Sequence, residues 1–355
     1  MLPKIDQGVV IRDDDCWQGF PDTAYFRNKI FVVYRESDYH KPTGSTSLRL
    51  VILDDSLKVD QSILIDRTDD RLNCPRLFIM AGELCIICDQ VQRSDPANFL
   101  KMEDDPTKTT VQLYRSVDGH HWRGPQKTNI TGIVPDRVHL TSDNTLLTTT
   151  HTKGQNGKLC AQAWVTNHID SDWLPFPLAK SDKCHFCEGS IAFSKRADEF
   201  FPRPRVGLAM CLLRENSGKG LPAYLSISND SGKKWSVPHR TLLFGCHRPS
   251  WGQLKSGNFL VTCRTSFSFA KSCWAKNTVA CLIPSRSVLH PATPMQDAEI
   301  LPLDYDRSVK CDSGYTGWVQ LPDGSIFIVN YITDEAPKPY ISWYRITERD
   351  FHLSD

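Results

Sequence analysis

Nowhere in its 355 residues does the chain run through eighteen apolar residues without interruption, so no segment reads as a membrane-spanning helix. The opening stretch, MLPKIDQGVVIRDDD, lacks the basic start and apolar core of a secretory leader. Excess charge of one sign is missing too. The 42 Lys and Arg residues nearly cancel the 41 Asp and Glu residues, which removes the global basic field of a nucleic-acid binder and the acidic excess of a disordered tail. Helical spacing of apolar residues is almost absent. A paired cysteine framework is absent as well: the 13 cysteines are odd in number, and several sit inside apolar runs such as LCIICD (Cys85, Cys88) and AMCLL (Cys211). They read as small buried hydrophobes in a reducing, cytoplasmic setting. Cys184 and Cys187 form a lone C-x-x-C with no second pair at metal-site spacing, so it too reads as structural, and Asn129-Ile130-Thr131 reads as a chance glycosylation pattern.

What is present is a great many short apolar stretches broken by Asp, Gly, Pro, Asn and Ser, the pattern of an all-β chain. One hairpin recurs six times, as an apolar strand, a tight polar turn and an apolar strand ending in a polar residue. The copies are TAYFRNKIFVVYRE from Thr23, RLFIMAGELCIICDQ from Arg76, RVHLTSDNTLLTTTH from Arg137, SIAF…VGLAMCLLRE from Ser190, SWGQLKSGNFLVTCRT from Ser250 and GWVQLPDGSIFIVNYI from Gly317. Aligned on their last strand, they place Arg35, Asp89, His151, Arg214, Arg264 and Tyr331 at one equivalent position. The spacing, roughly fifty to seventy residues, suits one four-stranded propeller blade per copy. Six copies leave no room for a second domain, so residues 1–355 read as a single six-bladed β-propeller.

A second repeat lies between the hairpins. Ser228-Asn229-Asp230-Ser231-Gly232-Lys233-Lys234-Trp235 fits the Asp-box pattern S-x-D-x-G-x-x-W; Ser116 to Trp122 is a copy one residue shorter, and Thr166 to Trp173 a decayed one. The Asp accepts local backbone N–H bonds, the Gly permits positive φ and the Trp packs beneath, so these boxes are structural turns. Boxes in phase with six hairpins resemble the sialidase (neuraminidase) superfamily over essentially the whole chain. A propeller must also close its ring, and QGVVIR (Gln7–Arg12) is the candidate strand, pairing beside ISWYRIT from Ile341.

In such a ring the innermost strands converge on the axis from distant parts of the sequence. Sixteen residues before each hairpin end lie Gly19, Asn73, Pro135, Arg248 and Tyr315, with Glu188 in the corresponding place once an insertion in the fourth blade is allowed for. Glu188, Arg214, Arg248, Arg264, Tyr315, Arg35 and His151 are thereby expected on one axis. The resemblance implies roles for them. Sialidases grip a substrate carboxylate with three arginines, attack with a tyrosine activated by a glutamate, and use an aspartate as acid and base. Glu188 and Arg214 match the family's glutamate and arginine on one hairpin, Tyr315 in DSGYTGWV matches the nucleophile, and Arg248 is a further carboxylate ligand. A guanidinium fork suits a carboxylate, and a neutral tyrosine attacks an anionic sugar without the repulsion a carboxylate nucleophile would meet.

The chain departs from the family where Gly19-Phe20-Pro21 replaces an Arg-x-Pro motif. Arg35 is the substitute expected in that space, and Asp38 or His40 the acid and base, with Asp38 assigned the catalytic role and His40 a binding one. His247 and Arg264 complete the expected substrate-binding set. These residues imply an exo-glycoside hydrolase cleaving a terminal acidic sugar with no metal or organic cofactor, and with a glycan as its partner. A non-catalytic glycan- or protein-binding propeller, and another glycosidase or polysaccharide lyase on the same scaffold, stay open alongside it.

Overall fold

The computed structural model describes residues 5–93, 105–194, 208–270, 273–290 and 292–351. The strands form six antiparallel sheets, five built from consecutive segments and one from both ends of the chain. The first blade contains Trp17–Phe26, Lys29–Ser37, Thr46–Leu53 and Val59–Thr68, in that spatial order. The second has an interrupted first strand, Arg71–Leu72 and Arg76–Met80, both pairing with Glu83–Val91. The sixth is closed by Asp6–Ile11, which pairs antiparallel with Tyr340–Ile346 in the register Gln7 to Tyr344 and Val9 to Ser342. The closing strand is the one read from the sequence, and it covers an edge that would otherwise expose unpaired backbone.

The second strand of five blades is close to a continuous apolar run because both of its faces are buried, while that of the third blade, LLTTTHTK, buries threonines instead. In Lys29–Ser37, Ile30, Val32 and Tyr34 face the sixth blade, while Phe31 and Val33 face the second. This is the period-two alternation of a strand, with hydrophobic partners on each side. The core is accordingly divided into six clusters, five filling the wedge between two adjacent blades and the sixth, between the first and last blades, reaching Cys74, Val91, Ile133 and Val134 of the second and third.

The turns at Ser228–Trp235 and Ser116–Trp122 join the third and fourth strands of their blades, far from the axis. Asp230 accepts from Ser228 Oγ at 2.9 Å and from Lys234 N at 2.8 Å, while Trp235 Nε1 donates to Gly232 O at 2.8 Å. Gly232 has φ +88°, and a Cβ there would lie 2.5 Å from Leu147 Cδ1, so both conformation and space demand glycine. The shorter copy makes the equivalent Ser116–Asp118 and Trp122–Gly119 bonds. Asn129 uses both ends of its amide on the Trp173 backbone, a structural duty for the residue in the glycosylation pattern. Cys187 is buried in an inner strand and Cys184 lies 3.8 Å from the Tyr224 hydroxyl. The expected fourth-blade insertion falls at 195–207, outside the described residues.

Below the site the axis holds a layer of buried ions. Asp22 accepts from Leu77 N of the next blade at 2.8 Å and from Nε and Nη2 of Arg137. Asp136 repeats the device two blades on, accepting from Ile191 N at 2.6 Å. Arg76, 3% exposed, lies 3.5 Å from Asp22 and 3.8 Å from Asp136 and donates to Ser250 Oγ at 3.0 Å, tying the second blade to the fifth across the ring. Gly317 admits this layer, since a Cβ there would sit 2.0 Å from Asp22 Oδ1.

Candidate active site

The six hairpin ends occupy one ring. Arg35 pairs with Gly19, His151 with Ile133, Arg214 with Cys187 and Arg264 with His247; Asn73 N donates to Asp89 O and Gly314 N to Tyr331 O. Immediately after each paired residue the inner strand bulges or breaks, and the next residue turns toward the axis. Those residues are Phe20, Cys74, Val134, Glu188, Arg248 and Tyr315. Register slips at this point in the first, fourth and fifth blades. Phe20 (φ 58°), Val134 (φ 55°), Glu188 (φ 49°) and Arg248 (φ 50°) all have left-handed backbone, and in the sixth blade Gly314 (φ 93°) takes that conformation beside Tyr315. A positive φ is costly for a non-glycine residue and more so for a β-branched one; it is held here by the surrounding sheets. The uniform sixteen-residue offset therefore slips by one in the first three blades. The residue standing where Arg248 stands in its own blade is Phe20, not Gly19.

Glu188 and Tyr315 meet at the axis although 127 positions apart in sequence: the Tyr315 hydroxyl donates to Glu188 Oε1 in a short hydrogen bond. Arg214 Nη1 donates to the same oxygen at 2.8 Å, and Oε2 has no hydrogen-bond partner among the described residues. The guanidinium groups of Arg264 and Arg248 lie 5.3 and 5.7 Å from the Tyr315 ring centre. Burial alone would raise the Glu188 pKa, but Arg214, the Tyr315 hydroxyl, Arg248 and Arg264 outweigh it and hold the carboxyl well below the usual range. Burial, then the charge of Glu188, push the Tyr315 hydroxyl well up. The resting pair is therefore a neutral phenol bonded to a carboxylate, arranged to pass its proton as charge develops on the oxygen.

A cavity of about 250 Å³ opens above the pair, with Glu188, Tyr315, Phe20, Cys74 and Val134 at its base. Lys41 and Arg71 bring positive charge to its wall, and His40, Asn73, His151 and Asn216 add polar groups. Arg248 and Arg264, 1% and 7% exposed, pack beside Tyr315 instead of lining it; each donates to a backbone oxygen, Pro135 O at 3.3 Å and Ser313 O at 2.9 Å. His247 is likewise off the wall. Burial, then Arg214 and Arg264, pull its pKa down to about 3, so the imidazole is neutral.

Two expected roles meet a different geometry. Arg35 is completely buried, donating to His40 O at 2.7 Å, Tyr39 O at 3.3 Å and Asn73 Oδ1 at 3.2 Å, with its guanidinium 4.3 Å from the Trp17 ring centre and 4.7 Å from that of Phe20. It braces the 39–40 loop and does not line the cavity. Asp38 is similarly occupied, accepting from the amides of Tyr39, Thr43 and Gly44 at 2.9–3.0 Å, and it staples its own loop outside the cavity lining. The residues that sequence reasoning missed are Arg71, Lys41, Phe20 and Asp312. Asp312 was within reach, standing three residues before Tyr315 in the quoted DSGY; Phe20-Pro21 could have been aligned on the dipeptide Arg248-Pro249. Among the described residues no group of three or more His, Cys, Asp and Glu side chains is placed to hold a metal ion, and no helix is long and apolar enough to cross a membrane.

Six blades with a closing strand from the other end of the chain make this a six-bladed β-propeller, the fold shared by the solved structures that superpose on it, sialidases among them. A protein of unknown function from Dyadobacter fermentans DSM 18053 matches with a TM-score of 0.73 at 16% identity, over 97% of this chain and 98% of that one. A Hadza microbial sialidase matches at 0.65 and 14%, over 94% of this chain and 66% of its own. An intramolecular trans-sialidase from Ruminococcus gnavus, in complex with oseltamivir carboxylate, matches at 0.64 and 9%, over 96% of each chain. At these identities the likeness is one of fold. No protein-family model matches the sequence, and no curated protein is significantly similar to it.

Proposed function

We propose that the protein is a glycoside hydrolase of sialidase type that releases a terminal acidic sugar from a glycan. The observation that carries this reading is the hydrogen bond from the Tyr315 hydroxyl to Glu188 at the base of an open cavity. Tyr315 is the nucleophile and Glu188 the base that takes its proton; Arg214 keeps Glu188 anionic, and Arg248 and Arg264 beside the ring favour negative charge on the phenolic oxygen. Arg71 and Lys41 on the wall suit an anionic substituent. The fold neighbour from Ruminococcus gnavus was solved in complex with oseltamivir carboxylate, which fits the same class of anionic ligand.

One observation favours a second reading, a glycan-binding propeller without turnover: Phe20 presents an apolar face where an arginine arm is expected. Hydrolysis of fluorogenic glycosides of sialic acid and of its deaminated, uronic and rhamnosyl analogues separates the two. Turnover of an acidic member, lost by several orders of magnitude in a folded Tyr315→Phe, supports the hydrolase. Binding without hydrolysis by the wild type supports the binder, and turnover undiminished in Tyr315→Phe rejects the mechanism.

A further inference from the structure

A tyrosine–glutamate pair attacks the anomeric carbon but leaves one requirement open: the departing oxygen needs a proton, and Glu188 is already committed to Tyr315. Among the described residues, Glu188 is the one carboxylate that lines the cavity. Asp38 is bound to its own loop. His151 is 5% exposed and its Nδ1 accepts from Glu188 N at 3.3 Å. Cys74 and Cys187 are buried thiols whose pKa values are pushed far up, chiefly by burial.

His40 differs from all of these. Its ring lines the cavity with 43% of the side chain exposed, and its Nδ1 lies 2.9 Å from one Asp312 oxygen and 3.2 Å from the other. Asp312 is fixed in turn by Trp17 Nε1 at 3.0 Å and the Tyr331 hydroxyl at 2.9 Å. Arg35 holds the His40 carbonyl, so both the backbone and the ring of His40 are positioned by buried groups. With Nδ1–H directed at a carboxylate, Nε2 is the nitrogen left for a substrate, and it has no hydrogen bond among the described residues. Phe20 packs against both reacting side chains, its ring centre 5.0 Å from that of Tyr315 and 5.3 Å from that of His40. A sugar resting on Phe20 would thus be within reach of both the nucleophile and an imidazole.

We infer that His40, oriented by Asp312, is the general acid and base of the site, doing from the first-blade loop what an aspartate does in the proposed reaction class. The inference rests on the hydrolase reading above. In the first step the Tyr315 oxygen bonds to the anomeric carbon and its proton passes to Glu188, while the glycosidic C–O bond breaks and the leaving oxygen takes the Nε2 proton of the His40 imidazolium. In the second step neutral His40 takes a proton from water, whose oxygen bonds to the anomeric carbon as Tyr315 departs and recovers its proton from Glu188. Asp312 stays ionised throughout and is a positioning residue that stabilises the imidazolium.

The test compares leaving groups, a readout that a merely structural role would not move. For each sugar in the panel above, kcat/KM is measured on its 4-methylumbelliferyl glycoside, whose phenol departs readily, and on its galactose-linked disaccharide, whose alcohol needs a proton. We expect His40→Ala and the size-conserving His40→Gln to lose at least about a hundredfold on the disaccharide and less than about tenfold on the aryl glycoside. Asp312→Asn should show the same asymmetry at smaller size, and sodium azide should accelerate the His40→Ala aryl reaction but not the wild type. An equal loss on both substrates in His40→Gln with wild-type thermal stability, or no loss on either, overturns the inference while Tyr315→Phe still tests the hydrolase reading separately. Wild type that turns over neither substrate of any pair overturns both.

Discussion

Glu188 and Arg214 face each other across two neighbouring strands of the fourth blade, 2.8 Å apart, with side chains 6% and 12% exposed. Removing one partner of so buried a pair is costly, so Glu188→Gln should destabilise the fold by about 3 kcal/mol. The pH dependence has a definite sign. The Glu188 carboxyl titrates lower in the folded state than in the unfolded chain, so its contribution is complete above the ordinary glutamate pKa of about 4.3 and is lost as pH falls through the lower folded value. Urea midpoints of wild type and Glu188→Gln should therefore differ by a constant amount from pH 7 to pH 5 and converge only in stronger acid. A gap that widens on acidification contradicts the depressed pKa.

The ionic layer beneath the site gives a second expectation. Asp22→Ala leaves Arg76 and Arg137 without their shared carboxylate and Leu77 N without its acceptor. A loss of about 3–5 kcal/mol follows from uncovering buried charge. Because Asp22 does not line the cavity, activity per folded molecule should change far less than stability. Chemical denaturation and active-site-normalised kinetics together check this.

Arg35→Lys keeps a positive charge but cannot reproduce the guanidinium's fixed set of three hydrogen bonds together with its cation–π contacts to Trp17 and Phe20. The expected cost is about 1–3 kcal/mol, with the 39–40 loop becoming the first segment to exchange its amides with solvent. Hydrogen exchange read by mass spectrometry measures both. An unchanged exchange profile would mean the guanidinium is not the brace of that loop.

Asp230→Ala removes the acceptor for Lys234 N and Ser228 Oγ in an outer turn. It should cost on the order of 1–3 kcal/mol. Its kinetics should remain those of the wild type, since the turn joins outer strands of the fourth blade. Reduced turnover at unchanged stability would show that the turn reaches the site.

Much of this architecture was legible because a propeller repeats its errors as well as its signals. Arg35, Asp89, His151, Arg214, Arg264 and Tyr331 could be aligned by eye, and they do occupy one ring, since the last polar residue of an apolar run marks where a strand leaves the interblade core. The juxtaposition of Glu188 and Tyr315 followed from that alignment plus the family resemblance. The fate of individual side chains did not follow. Arg35 and Arg264 look alike in sequence, yet one braces a loop and the other flanks a tyrosine, because competition for carbonyl acceptors is settled only in three dimensions. His40 gained its partner Asp312 from 272 positions away, a pairing no local pattern encodes. The one-residue slip at Gly19 arose because hairpin turns differ in length while the bulge keeps its place relative to the paired residue.

That bulge has an implication for how the molecule could be rewritten. Phe20, Val134, Glu188 and Arg248 share one backbone posture while having no chemistry in common, so the posture is imposed by the sheets and not by the side chains it displays. The ring behaves as a socket with interchangeable pins: an aromatic, an aliphatic, an acid and a base are all tolerated at equivalent addresses. Altered selectivity is then a matter of substituting letters at a few addresses far apart in the sequence, with position 20 the first to try, while the interblade wedges that hold the posture are left untouched.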